Sequence, residues 1–304
     1  LNSLTAIDKD IARELMKFPG SLILNGLRSI DKDVAQELGK LQGNYLDLDG
    51  LESIDKEVAL ELAKFQGNYL NLRGLKSINK EVALELAKFQ GQTLDFNSLT
   101  SINEKVAAEL AKFKGNIELN RLSEINTSVA QELAKFQGKR LSLNSLTAID
   151  KDIARELMKF PGSLILNGLR SIDKDVAQEL GKLQGNYLDL DGLESIDKEV
   201  ALELAKFQGN YLNLRGLKSI NKEVALELAK FQGQTLDFNS LTSINEKVAA
   251  ELAKFKGNIE LNRLSEINTS VAQELAKFQG KRLSLHGLRS IDKDVAQELG
   301  KWQG

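Results

Sequence analysis

The chain has 304 residues, no cysteine and one histidine, and its 41 basic and 43 acidic residues leave a net charge of −2. These numbers exclude disulfide frameworks and cysteine-ligated metals, leave imidazole catalysis almost nothing to draw on, and give no electrostatic case for nucleic acid. No apolar run approaches the roughly 20 residues needed to span a bilayer.

Repetition dominates the rest. Residues 143–284 reproduce residues 1–142 without a change, and each copy is itself six imperfect units of 23 or 24 residues. The anchors are Leu1, Leu24, Leu48, Leu72, Phe96 and Leu119, and the series resumes at Leu143 and ends at Leu285. A period of this size is the signature of a solenoid, in which each unit buries its apolar face only against its neighbours. One continuous core predicts a single repeat domain over 1–304: six repeats in 1–142, their copy in 143–284, and a cap-like terminal repeat in 285–304. That last repeat follows 24–43 rather than 1–20, with His286 and Trp302 as its departures.

Within a unit the elements follow in a fixed order, clearest in the third. Leu46 and Leu48 alternate with Tyr45, Asp47 and Asp49, the period-2 pattern of a short strand with one buried face. Leu51 and Ile54 carry the apolar side through a turn. From residue 55 the period becomes helical, with Val58, Ala59, Leu62, Ala63 and Phe65 on one side and Lys64 opposite. Asp55 is placed as N-cap, as are Asp8, Asp31, Asn79, Asn103 and Asn126. Gly20, Gly43, Gly67, Gly91, Gly115 and Gly138 close each helical stretch, as residues with positive φ would.

The string Leu24-x-x-Leu27-x-x-Ile30 followed by Val34-Ala35 and Leu38 resembles a bacterial-type leucine-rich repeat, and the resemblance covers essentially the whole chain. The Asn ladder position familiar in such repeats is Leu here (Leu27, Leu51, Leu75). The resemblance implies an α/β fold: a right-handed, curved leucine-rich-repeat solenoid, with parallel strands on the concave face and helices on the convex face. Strands about 4.8 Å apart and helices about 8–10 Å apart require that curvature.

Such folds usually bind partners on the concave strand face. The candidates there are Tyr45, Asp47 and Asp49, then Tyr69, Asn71 and Arg73, repeated as Tyr187, Asp189, Asp191, Tyr211, Asn213 and Arg215. Tyr and Arg are favoured in binding hot spots, although Tyr is also simply a good strand residue. Asp47 and Asp49 form a D-x-D, but calcium needs roughly six to eight oxygens, and Asn25 and Asn71 add few. The pair therefore reads as solvated. Leu60 and Leu84, with Leu202 and Leu226 in the second copy, are expected on the outer helix surface, as an apolar patch or as tolerated leucines. The sequons at Asn126 and Asn268 coincide with N-cap positions, which accounts for both.

No P-loop, dinucleotide fingerprint, metal motif or nucleophile elbow occurs, and His286 stands apart from any catalytic set. No enzymatic activity and no cofactor are expected. The function expected is a protein-interaction or architectural scaffold, with an engineered array made for shape or self-assembly and a bacterial surface adhesin module as rivals. The partners expected are a protein, or further copies meeting through the repeat ends. Leu1, Leu4, Ile7, Ile11 and Leu15 should leave one core face open at the start of the chain.

Overall fold

The structure is a computed structural model describing residues 1 and 3–302. It comprises two compact units, residues 1–146 and 147–304. In unit 1 the elements alternate: α1 (Lys9–Leu15), β1 (Leu22–Ile23), α2 (Lys32–Leu38), β2 (Tyr45–Asp47), α3 (Lys56–Leu62) and β3 (Tyr69–Asn71), then α4 (Lys80–Leu86), β4 (Thr93–Asp95), α5 (Glu104–Leu110), β5 (Asn116–Glu118), α6 (Thr127–Leu133) and β6 (Arg140–Ser142). Unit 2 runs in the same way through α7 (Lys151–Leu157), β7 (Ser163–Ile165), α8 (Lys174–Leu180), β8 (Tyr187–Asp189), α9 (Lys198–Leu204) and β9 (Tyr211–Asn213). It closes with α10 (Lys222–Leu228), β10 (Thr235–Asp237), α11 (Glu246–Leu252), β11 (Asn258–Glu260), α12 (Thr269–Leu275), β12 (Arg282–Ser284) and α13 (Lys293–Leu299).

Within each unit, consecutive strands pair in parallel and in register, so that Tyr45, Leu46 and Asp47 lie beside Tyr69, Leu70 and Asn71, and these beside Thr93, Leu94 and Asp95. Consecutive helices pack on the opposite face. Each unit is thus an α/β leucine-rich-repeat solenoid whose strand face is the concave one. The predicted caps are in place: Asp55 and Asn79 accept from the backbone N–H of Val58 and Val82, at 2.8 and 2.9 Å. Each satisfies one of the donors that a helix N-terminus leaves unpaired.

The core is a set of ladders running along each unit. Leu46, Leu48, Leu51, Val58, Ala59, Leu62 and Phe65 are all buried, and so are their counterparts in the next repeat. Phe65, Phe89 and Phe113 stack at successive centroid distances of 6.1 Å. In unit 2, Trp302 lies over Phe278 with centroids 6.0 Å apart and its indole N–H donating to the Phe278 carbonyl. At the start of unit 1, Leu1 and Ile11 are exposed, whereas Leu4, Ile7 and Leu15 are half-buried.

Two expectations need correction. The helices stop five residues short of the glycines: α3 ends at Leu62, with Ala63 as a right-handed C-cap, and no described glycine has a positive φ. Glycine is required for space instead. A Cβ on Gly67 would lie 2.2 Å from the Phe65 ring and 2.5 Å from the Gly43 carbonyl oxygen. The glycines are where the strand layer closes down on the aromatic stack. Leu60, Leu84, Leu202 and Leu226 are half-buried rather than an exposed outer strip, because a seven-residue helix flanked by neighbours on both sides leaves only a narrow face to solvent.

Candidate binding surface

The strand face has two levels. Tyr45 and Tyr69 are half-buried on the upper level, while Asp47, Asn71 and Asp95 lie buried beneath, the last fully. Asp49 and Arg73 stand exposed beyond the strand ends. The expectation of a solvated Asp47–Asp49 pair is therefore corrected. Asp47 Oδ1 accepts from the Asp49 backbone N–H at 3.0 Å and from Asn71 Nδ2 at 2.9 Å. Asn71 and Asp95 take the Arg73 and Asn97 N–H groups in the same way. The last residue of each of these strands thus makes the turn that ends it, a local side-chain-to-backbone bond that Asp and Asn form readily.

The same atoms tie repeat to repeat. Asn71 bridges to Asp47, and Asp95 Oδ2 receives both the Tyr69 hydroxyl at 2.5 Å and the Arg73 Nε at 2.8 Å. Farther along, Asn97 donates to Glu118 at 2.9 Å and Ser142 to Asn120 at 2.6 Å. Above this ladder the Tyr45 and Tyr69 rings lean together, centroids 5.0 Å apart and tilted by 32°. Unit 2 repeats the arrangement. Tyr187 and Tyr211 sit 5.0 Å apart, Tyr187 donates to Asp189 at 3.1 Å, Asn213 to Asp189 at 2.7 Å, and both Tyr211 and Arg215 bond Asp237. Asp191 is half-buried beside them.

Every sequence-predicted strand-face residue therefore lies in one connected patch per unit, while the half-buried leucines 60, 84, 202 and 226 belong to the helix layer. Sequence reasoning places Asp95 on the strand face, but the part that Asp95 and Asp237 play as anchors of Tyr69/Arg73 and Tyr211/Arg215 comes from the structure. Their signal is a polar residue at the strand's end, one repeat after Tyr and Arg.

The electrostatics follow from burial. Desolvation first, then the hydrogen bond to Asp95, raises the Tyr69 hydroxyl far above its usual range. Burial followed by Asp189 pushes Tyr187 up to about 12, and Tyr45 and Tyr211 move in the same direction. Desolvation, with Asp47 next, raises the Asp49 carboxyl. All four phenols thus stay neutral donors over a wide pH range.

His286 interacts with Ser284 and Asn262 through Nδ1, at 2.8 and 3.0 Å. Among the described residues no group of three or more His, Asp or Glu side chains is placed to hold a metal ion, and no helix is long and apolar enough to cross a membrane.

No protein-family model and no curated protein matches this chain. Solved structures do. An internalin of Listeria monocytogenes aligns with a TM-score of 0.53 at 17% identity, over 98% of this chain and 88% of its own. A chain of the Drosophila Toll–Spatzle complex aligns at 0.58 and 15% identity, over 97% of this chain. A TLR13–ssRNA13 complex aligns at 0.50 and 17% identity over the whole of it. This chain spans 44% of the Toll-complex chain and 57% of the TLR13-complex chain. At such identities the likeness concerns architecture, and together with the repeat geometry it establishes the leucine-rich-repeat fold.

Proposed function

We propose that the protein is a non-enzymatic interaction scaffold that binds a protein partner on the strand face, through Tyr45, Tyr69, Asp49 and Arg73 and their counterparts Tyr187, Tyr211, Asp191 and Arg215. The observation that carries this reading is the paired tyrosines held above a cross-repeat ladder. Aromatic rings fixed before binding lose little side-chain freedom on contact, so more of their buried area becomes affinity. Two copies of the patch in one chain supply the basis for avidity toward a repetitive or dimeric partner. A TLR13 complex holds ssRNA13 on this fold. Here carboxylates at 47, 49 and 95 line the patch, which favours a protein over a polyanion.

The test is selection of binders from a displayed library of folded domains, run in parallel on the parent, on the Tyr45→Ala/Tyr69→Ala/Tyr187→Ala/Tyr211→Ala variant, and on a Leu60→Ser/Leu84→Ser/Leu202→Ser/Leu226→Ser variant. The expected result is binders that lose affinity only on the tyrosine variant. Binders indifferent to the tyrosines would overturn the strand-face assignment.

The unbroken 142-residue duplication favours a second reading, an engineered array whose purpose is shape or self-assembly. Light scattering over a concentration series separates the two: growth beyond the 33.6 kDa chain mass that persists in the tyrosine variant supports assembly.

A further inference from the structure

A different feature lies at the edge of each unit where helices run into strands. In unit 1 a cleft of about 610 Å³ is lined by Gln92, Lys112, Lys114, Gly115, Asn116 and Lys139, among others. The equivalent cleft in unit 2, about 290 Å³, has Lys254, Lys256 and Lys281 in the same places. No carboxylate lines either cleft, although acids outnumber bases in the chain as a whole.

The other repeats serve as an internal control. In unit 1 the residue two before the conserved glycine is a ring or leucine, buried except at Phe18, and the one between them is Gln at 42, 66, 90 and 137, Pro at 19 and Lys at 114. The residue after the glycine is Ser at 21, Asn at 44, 68 and 116, Gln at 92 and Lys at 139, so Lys139 is the one charged residue there. The spacing from Phe96 to Leu119 is one residue short of the usual 24, as it is from Leu1 to Leu24. In a 24-residue repeat two successive N–H groups, of Asn68 and Tyr69, bond the Asn44 carbonyl. At the shortened repeat only Asn116 bonds Gln92, and the Gln137 N–H turns instead to the Ala111 carbonyl. Lys114 and Lys139 both line the cleft at this repeat.

Those lysines are also unpaired. Lys112 is held by Glu109 at 2.5 Å and Lys254 by Glu251, but among the described residues no carboxylate pairs with Lys114, Lys139, Lys256 or Lys281. At equivalent positions Gln42, Gln66 and Gln90 fold back onto the carbonyls of Lys40, Lys64 and Lys88. Like charges gathered around one cleft repel, and a compact anion with several acceptor oxygens relieves that repulsion and fills the ammonium groups' donor capacity. The clefts have the size of small-molecule sites.

We propose that each unit binds a phosphate-type oxyanion in this cleft, either free or as the terminal phosphate of a small phosphorylated molecule. Lys114 and Lys139 hold it in unit 1, Lys256 and Lys281 in unit 2, and Lys112 and Lys254 are shared with their glutamates. The site is separate from the tyrosine patch.

Calorimetric titration of the full chain with pyrophosphate at low ionic strength tests this, with glucose 6-phosphate and glucose as further arms. The parent should bind two equivalents of pyrophosphate, with affinity falling steeply as salt is added. Lys114→Gln/Lys139→Asn should bind one. Adding Lys256→Gln/Lys281→Asn should weaken what remains roughly tenfold or more. These substitutions install residues that other repeats already carry at the same positions, and each single-unit variant retains the other cleft as a folding control. Binding of glucose 6-phosphate but not glucose identifies a phosphate monoester as ligand, and binding of pyrophosphate alone identifies the free anion. The absence of saturable pyrophosphate binding by the parent, or unchanged stoichiometry and affinity in the fourfold variant, would overturn the assignment.

Discussion

Two rows of buried polar side chains run along each unit, one in the strand layer and one in the helix layer, and they are built on different plans. In the helix layer Glu61 and Glu85 are each held by a lysine one turn on, Lys64 at 2.6 Å and Lys88 at 2.5 Å, within a single repeat. In the strand layer Asp47 and Asp95 take their partners from neighbouring repeats, 24 and 26 residues away. The Glu–Lys row barely varies along the unit, whereas the strand row changes residue type at nearly every step. A row held chiefly within each repeat, with only long contacts such as Arg13–Glu37 at 3.7 Å and Lys80–Glu109 at 3.9 Å crossing the boundary, can be copied with little specified. A row closed between repeats must be chosen pair by pair, and individuality, hence recognition, accumulates there.

The severest break affects both layers at once. Gly67→Ala puts a Cβ against the Phe65 ring and the backbone oxygen of Gly43, and the backbone cannot give as a side chain would. The expected cost is about 3 kcal/mol, read as a fall in denaturant midpoint with little change in slope. An unchanged midpoint would mean that the strand layer is not closed down on the aromatic stack.

The comparison itself is tested by truncating one acid from each row. Asp95→Ala leaves the Tyr69 hydroxyl and the Arg73 guanidinium without their shared acceptor and frees the Asn97 N–H. After discounting for the half-exposed guanidinium, the expected loss is about 2–3 kcal/mol. Glu85→Ala releases only Lys88, which reaches water, so about 1 kcal/mol is expected. Chemical denaturation of both variants checks the order. If Glu85 proved the costlier of the two, the contrast between the rows would fail.

How far the sequence alone disclosed these rows follows from the range of each interaction. The caps at Asp55 and Asn79 were legible because an N-cap bond spans three residues and depends on one residue type. The alternation Leu46–Leu48 was legible because a strand with one buried face imposes period 2. Asp47 was misread as solvated because its partner, Asn71, lies a whole repeat away, and nothing local distinguishes it from a surface acid. Gly67 was legible as a position and not as a reason, since a close approach to Gly43 is a property of stacking rather than of a turn. The leucines at 60 and 84 point outward on an isolated helical wheel, and only the neighbouring helices half-cover them.

The tyrosines sharpen the comparison from the strand side. The chain has four tyrosines, and all four lie in the two patches, so phenolate absorbance reports on nothing else. Each hydroxyl is raised in the folded state, so the unfolded chain ionises first, from about pH 10. The stability these phenols contribute is complete below that pH and declines as pH rises through the folded value, about 12 for Tyr187. A spectrophotometric titration should show less phenolate near pH 10 in the folded chain than in the unfolded one. A normal titration at pH 10 would mean that the hydroxyls are not engaged with Asp47, Asp95 and their copies.

The smallest effect is expected where the helix row is only neutralised. Glu85→Gln keeps the side-chain volume and an oxygen within reach of Lys88, and removes one charge from a pair whose lysine is already half in water. Coulomb attraction across such a pair is largely screened, and fixing the lysine stem costs conformational freedom that the substitution returns. The change in unfolding free energy should stay within about 0.5 kcal/mol, and it should shrink further in high salt. Asp95→Asn, the same chemical change in the other row, has no such buffer. Its new amide brings N–H donors to a site where Tyr69, Arg73 and the Asn97 N–H all donate. A Glu85→Gln loss equal to that of Asp95→Asn would show that burial alone sets the value of a carboxylate here. A clear difference would show that partnership across the repeat boundary does.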